Sequence, residues 1–195
     1  MAKKAQSNDN DLPAPQEGLT REETRSVSKR RKLRAAVVYE IIRTEGEGEL
    51  ARSASALWWS ALAAGLSIGF SVLAQSLLRA YLPDTPAASV VENIGYSVGF
   101  LIVILSRQQL FTENTLTAVL PVIARREWRW LWVLLRLWGI VLLGNLAGCL
   151  LFAAFLAYSG ALTPDFAEAV REIGTKLMAN SPSEMFFKGI VAGWL

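Results

Sequence analysis

Ser106 to Thr115, SRQQLFTENT, sets a guanidinium, a carboxylate, carboxamides and hydroxyls inside an otherwise apolar run from Val90 to Ala124. Hydroxyls and backbone N–H groups in such a place can replace part of the water shell of a small anion. A carboxylate at membrane depth repels an anion and is costly unless paired, so Arg107 and Glu113 are expected to form an ion pair within the loop. Other chemistries are poorly supplied. The chain has no histidine, and Cys149, its single cysteine, lies in an apolar run. Metal clusters of His and Cys, thiol pairs and disulfides are therefore excluded, and a thiol without an activating base points away from an enzyme. No cofactor is implied. Cys149 reads as a small buried hydrophobe.

The elements that must position this decapeptide are helices in a membrane. The 195 residues are 52% hydrophobic, and residues 1–52 hold 11 of the 20 Lys and Arg, leaving long uncharged tracts beyond. Residues 1–32 are polar, lack the apolar core of a signal peptide and are expected to form a disordered cytoplasmic tail. Residues 33–52 read as an amphipathic helix over 33–43, lying in the membrane interface or packed on the rest of the protein, and then a hinge in TEGEGELARS. The transmembrane domain is expected over 53–195, with spans at about 54–80, 90–124, 131–158 and an incomplete one at 185–195. The second span is too long for one straight crossing and is broken near 106–115. Each arm is expected to cover only part of the membrane, with the loop between them satisfied by protein or by a water-lined cavity. Discontinuous helices of this kind recur along substrate paths.

In the first span, Ala61, Gly65 and Gly69 make a face that a second helix can approach closely. In the third, Gly144, Asn145 and Gly148 are expected to serve helix packing, with the amide of Asn145 cross-linking neighbours. Arg125, Arg126 and Arg129, like the SKRRKLR tract, fit the cytoplasmic side, whereas the net acidic connectors at 79–93 and 159–185 fit the outer side. The tryptophans of WRWLWVLLRLW fit an interfacial belt better than nucleic-acid stacking, and no nucleic-acid partner is expected. The final apolar run is too short to cross, so the chain is expected to be part of a longer protein.

LFTENT at 110–115, GYSVGF before it, GNLAG after it and KGIVAGWL at 188–195 resemble the formate/nitrite transporter family, in particular its bacterial inner membrane proteins with long polar N-terminal tails. The resemblance covers residues from about 35 to 195. It implies an all-α polytopic membrane protein with an aquaporin-like six-helix protomer of two inverted halves, represented here by the N-terminal half through the start of the fourth helix. It further implies a homopentamer in membrane lipid, each protomer having a pore for a small anion such as formate or nitrite. Pore or gating roles fall on Phe100 as constriction and on Leu110, Phe111, Thr112 and Asn114 in the broken helix. The family's pore histidine lies beyond Leu195, its lysine before the fourth helix is matched only approximately by Lys176, and its asparagine in that helix is replaced by Gly193. Where family members carry small residues, this chain has Arg107, Gln108, Gln109 and Glu113. Two other readings remain open: a neutral-solute or water channel of the same fold, and a non-transporting scaffold that binds through its tail.

Overall fold

A computed structural model describes residues 35–83 and 85–194. The tail expected over residues 1–32 lies outside the described residues. The chain divides into two compact units after Ile41, and everything that positions the polar decapeptide belongs to the second. All regular elements among the described residues are helical.

The helix α1, Ala35–Leu50, runs straight through TEGEGEL, where a hinge is expected from the sequence. Packing decides this. A Cβ on Gly46 would stand 2.1 Å from the Thr117 carbonyl oxygen, so this glycine permits a close contact instead of a bend, while Gly48 faces open space. The break is confined to Ala51–Ser53. Ser53 then caps α2, Ala54–Tyr81, its hydroxyl accepting from the Ala56 N–H at 3.3 Å. With 28 residues, α2 is about 42 Å long at 1.5 Å per residue. It stops at Leu82, ahead of Pro83, as the residue before proline is disfavoured in a helix.

Thr85 caps α3, Pro86–Gly95, which passes through a kink at Tyr96 into α4, Ser97–Leu105. Together they form a 20-residue stretch of spanning length. The first arm begins at Pro86, earlier than the Val90 expected from the sequence, and is long and apolar enough to cross a membrane. The second arm is short, consisting of α5, Asn114–Thr117, and α6, Val119–Arg125. A left-handed Arg126, at φ 52°, turns the chain into α7, Trp128–Tyr158. Gly160, at φ 67°, leads to α8, Pro164–Met178. Ser181 and Glu184 cap each other's N–H groups in a reciprocal box at the start of α9, Pro182–Trp194.

The centre of the unit is the contact between α2 and α7. Gly65 lies against Asn145 and Gly148, Ala61 against Gly144, and Gly69 against the Phe152 ring. Leu57, Ala61, Leu134, Leu137 and Val141 form the main apolar cluster, which Leu50 of α1 joins. Three stretches, Ala54–Tyr81, Pro86–Leu105 and Trp128–Tyr158, are long and apolar enough to cross a membrane. Their outward faces carry exposed leucines such as Leu142, Leu143, Leu146 and Leu150, a surface that water would not tolerate at this extent.

The end of α1 is also held by charge. Arg125 bonds to Glu47 at 2.8 Å, and Arg43 reaches the same carboxyl at 2.6 Å. The Arg125 hydrogen bond, helped by both positive charges, outweighs desolvation and keeps the Glu47 carboxyl below its ordinary range. A depressed carboxyl contributes stability above its unfolded value and loses it as pH falls through its folded value. Glu47→Gln should therefore lower the unfolding temperature at neutral pH, and this difference should vanish in acid. Equal unfolding temperatures at neutral pH would show that the pair contributes nothing.

Candidate functional site

The irregular stretch begins where α4 ends. Ser106 closes the helix, Arg107 adopts a left-handed backbone at φ 49°, and the Gln108 N–H still reaches back to Val103 at 3.1 Å. From Gln109 onward the backbone has no helix to satisfy it, and buried polar groups must find partners elsewhere. Two side chains from other helices supply them. Ser60 of α2 accepts from the Gln109 N–H at 3.1 Å. Asn145 of α7 accepts from the Phe111 N–H at 2.9 Å, and its own amide donates to the Gln109 carbonyl at 2.9 Å and to the Ala61 carbonyl at 2.8 Å. Asn145 thus ties α2, α7 and the break together.

Asn114 is buried, at 6% exposure. Its amide donates to Gln109 Oε1 at 2.8 Å, and its carbonyl accepts from the indole of Trp138 at 3.2 Å. Gln109 Nε2 donates in turn to Glu49 of α1 at 2.8 Å. Gln109, Glu49, Ser60 and Trp138 are parts of the site that the sequence reading did not single out. Polarity inside an apolar run flagged Gln109 only as a departure, and nothing local marks the other three.

The expected pair of Arg107 and Glu113 is not formed. Among the described residues no ion pair joins them, and both side chains are exposed, where an ion pair gains little over hydration. Both instead line a polar cleft of about 490 Å³, shared with Glu49, Arg52, Gln109 and Asn114. Phe100 and Phe111, to which the resemblance gives constriction and gating roles, pack against separate clusters. Phe100 packs with Ala64, Val103 and Leu110, whereas Phe111 packs on the α7 cluster with its ring edge-on to Trp138 at 6.1 Å. Successive residues of the break, Leu110 and Phe111, face different neighbours.

Thr112 and Glu113 are exposed. The Gln108, Gln109, Phe111 and Glu113 N–H groups are all bonded within the protein. Among the described residues, the N–H groups of Leu110 and Thr112 and the hydroxyl of Thr112 make no such bond, while the Thr112 carbonyl accepts from Thr115 Oγ1 at 2.7 Å. The break therefore keeps a small set of donors unspent. Lys176 is exposed at the end of α8; Lys188, inside α9, bonds to the Asn180 side chain. Cys149 bonds the Gly65 carbonyl at 3.4 Å and lines an apolar cavity of about 570 Å³ between α2, α7 and α8. No cluster of metal-ligating side chains occurs among the described residues.

A model of the formate/nitrite transporter family matches residues 36–195 of this chain. The chain belongs to that family. Among its relatives, the Escherichia coli inner membrane protein YfdC is 48% identical over 162 residues, which cover 83% of this chain and 52% of YfdC. The Bacillus subtilis uncharacterized transporter YwcJ is 28% identical over 136 residues, covering 68% of this chain and 52% of YwcJ. This chain thus spans about half the length of the relatives it matches. It is an all-α member, with spanning-length helices on both sides of its broken segment.

Proposed function

We propose that the protein moves a small monovalent anion such as formate or nitrite across the membrane, through a pore in each protomer lined in part by the break between α4 and α5. The observation that carries this reading is the donor inventory of the break: two backbone N–H groups and the Thr112 hydroxyl stay unspent where every neighbouring N–H is bonded. An anion leaving water needs such donors, and protonation to the neutral acid is the cheaper way through an apolar throat. Leu110, Phe111, Thr112 and Asn114 form the gating loop in this proposal, and Phe100 is a constriction residue on the α4 side.

The relatives' names support transport in an inner membrane, since one is called an inner membrane protein and the other a transporter. The architecture proposed for the complete protein is an aquaporin-like protomer of six helices in two inverted halves, assembled as a homopentamer. Its N-terminus is placed in the cytoplasm. Supporting that orientation, Arg125, next to the basic turn at 125–129, reaches Glu47 ahead of the first span, so both lie at one end of the bundle.

Flux through the full-length protein in liposomes, with formate, nitrite, acetate and glycerol at two pH values, tests this. Monocarboxylate or nitrite uptake that rises as pH falls is expected. Glycerol or water flux alone would refute the anion assignment, and no flux in folded protein would favour a scaffold that acts through its tail. Thr112→Ala combined with Phe111→Ala should change uptake about tenfold, on the scale of one charge-assisted hydrogen bond. Unchanged uptake would remove the loop from the gate.

A further inference from the structure

We propose that Glu49, in the last turn of α1, is a positioning residue for the break, acting through Gln109; this inference rests on the pore reading above. Gln109 is 5% exposed, and each of its four polar groups is engaged. Its N–H meets Ser60 of α2, its carbonyl meets Asn145 of α7, its Oε1 meets Asn114 of α5, and its Nε2 meets Glu49 of α1. Two of these partners, Ser60 and Asn145, lie within helices of spanning length, and Asn114 lies in the break's short second arm. Glu49 alone carries a charge.

The end of α1 is a firm anchor for that bond. Gly46 lies against the Thr117 carbonyl of α5, Leu50 is buried in the main cluster, and Arg52 stands 3.3 Å from the Glu49 carboxylate. The Arg136 guanidinium donates to the Arg52 carbonyl at 2.7 Å, tying the same turn to α7. A satisfied side-chain hub fixes one geometry, and leaving one of its buried donors unpaired costs more than the bond was worth. Glu49 therefore sets where Gln109 sits, and the backbone of Gln109 is joined directly to Leu110, whose N–H is one of the unspent donors.

Exchanging the two partners tests the joint. In Gln109→Glu, two carboxylates would face each other where a hydrogen bond of 2.8 Å now stands; at a pH high enough to keep them from sharing a proton, the break must move to separate them. Glu49→Gln keeps an acceptor for Gln109 and should be mild, since its half-exposed pair with Arg52 is worth little. The double variant E49Q/Q109E restores the bond with donor and acceptor exchanged. The full-length protein, with native cysteines replaced and Thr112→Cys as a probe, is reconstituted in liposomes and its maleimide labelling rate is measured.

Labelling should change about tenfold in Gln109→Glu and stay within about twofold of the parent in Glu49→Gln and in the double variant. Formate flux in the four proteins without the probe should follow the same order. Labelling in Gln109→Glu that equals the parent's, or a double variant that stays as altered as Gln109→Glu, would overturn the proposal. Labelling that follows the exchange while the native protein passes no formate would retain the joint and remove the anion pore.

Discussion

Replacing Asn145 by leucine is expected to destabilise the folded protein by about 2–4 kcal/mol and to abolish flux through it. Leucine matches asparagine in the number and branching of its side-chain heavy atoms but is larger, so overpacking at this buried position adds to the loss of the hydrogen bonds. Three of them disappear together: to the Phe111 N–H, the Gln109 carbonyl and the Ala61 carbonyl. The Ala61 carbonyl belongs to a regular helix and keeps its backbone partner, so it contributes least. The Phe111 N–H and Gln109 carbonyl lie in the break and have no helical alternative, and each orphaned group costs about 1–3 kcal/mol. The lower end of the range allows for the smaller values that side-chain bonds between membrane helices often give. Asn145→Asp discriminates further, since it keeps an acceptor for Phe111 but turns a carboxylate toward two carbonyls; it should be no milder than leucine. Unfolding of the full-length protein in detergent, followed by tryptophan fluorescence, measures both. A shift below about 0.5 kcal/mol for leucine would mean that water or lipid already competes for these groups.

That amide also marks how far the sequence alone could be read. A polar residue between two glycines in a long apolar helix announces a cross-link, because membrane helices have few other reasons to carry one. The sequence does not announce what it cross-links. Its partners are 34 and 36 residues away in an irregular stretch, and irregular backbone has no period from which to read a facing direction. The same limit applies to Gln109, bonded to Glu49 across 60 residues, and to Phe100 and Phe111, which pack against separate clusters. Arg107 and Glu113 stand six positions apart with opposite charges, yet both are exposed and line one cleft without pairing.

Gly46 and Gly65 show a second kind of ambiguity. A missing side chain can mean a hinge or a close approach, and the two are spelled alike. At Gly65 the four-residue spacing with Ala61 and Gly69 resolved it, since one repeated face on an apolar helix implies a neighbour. At Gly46 the surrounding glutamates suggested solvent, and the contact with Thr117 became visible only in three dimensions. The break itself was legible because polarity inside an apolar run has a single cheap explanation. Its first arm starts earlier than the sequence suggests for a local reason: a threonine and proline before Val90 read as a turn, whereas Thr85 is the cap and Pro86 the first residue of α3.

Adding a single methyl group at Gly148 is expected to cost at least about 2 kcal/mol, and Gly148→Leu should give no folded protein. A Cβ there would meet the Leu62 carbonyl oxygen at 2.3 Å and the Gly65 Cα at 2.8 Å. Both are backbone atoms of α2, so no rotamer change relieves the contact and the two helices must part, at the upper end of the usual 1–3 kcal/mol for overpacking. Parting them also weakens the polar site. Asn145 lies on the adjoining turn of α7, and its bonds to Ala61 and Gln109 are 2.8 and 2.9 Å long, so an added ångström between the helices breaks hydrogen-bond geometry as well as van der Waals contact. Gly139→Ala, in the same helix but facing open space, is the matched control and should be neutral or slightly stabilising. If Gly148→Ala and Gly139→Ala unfold at the same temperature, the α2 and α7 contact is loose enough to absorb a methyl, and the close approach does not set the position of the Asn145 clamp. If only Gly148→Ala falls, and flux falls with it, the small residues that let the helices touch also hold the broken segment at its working distance.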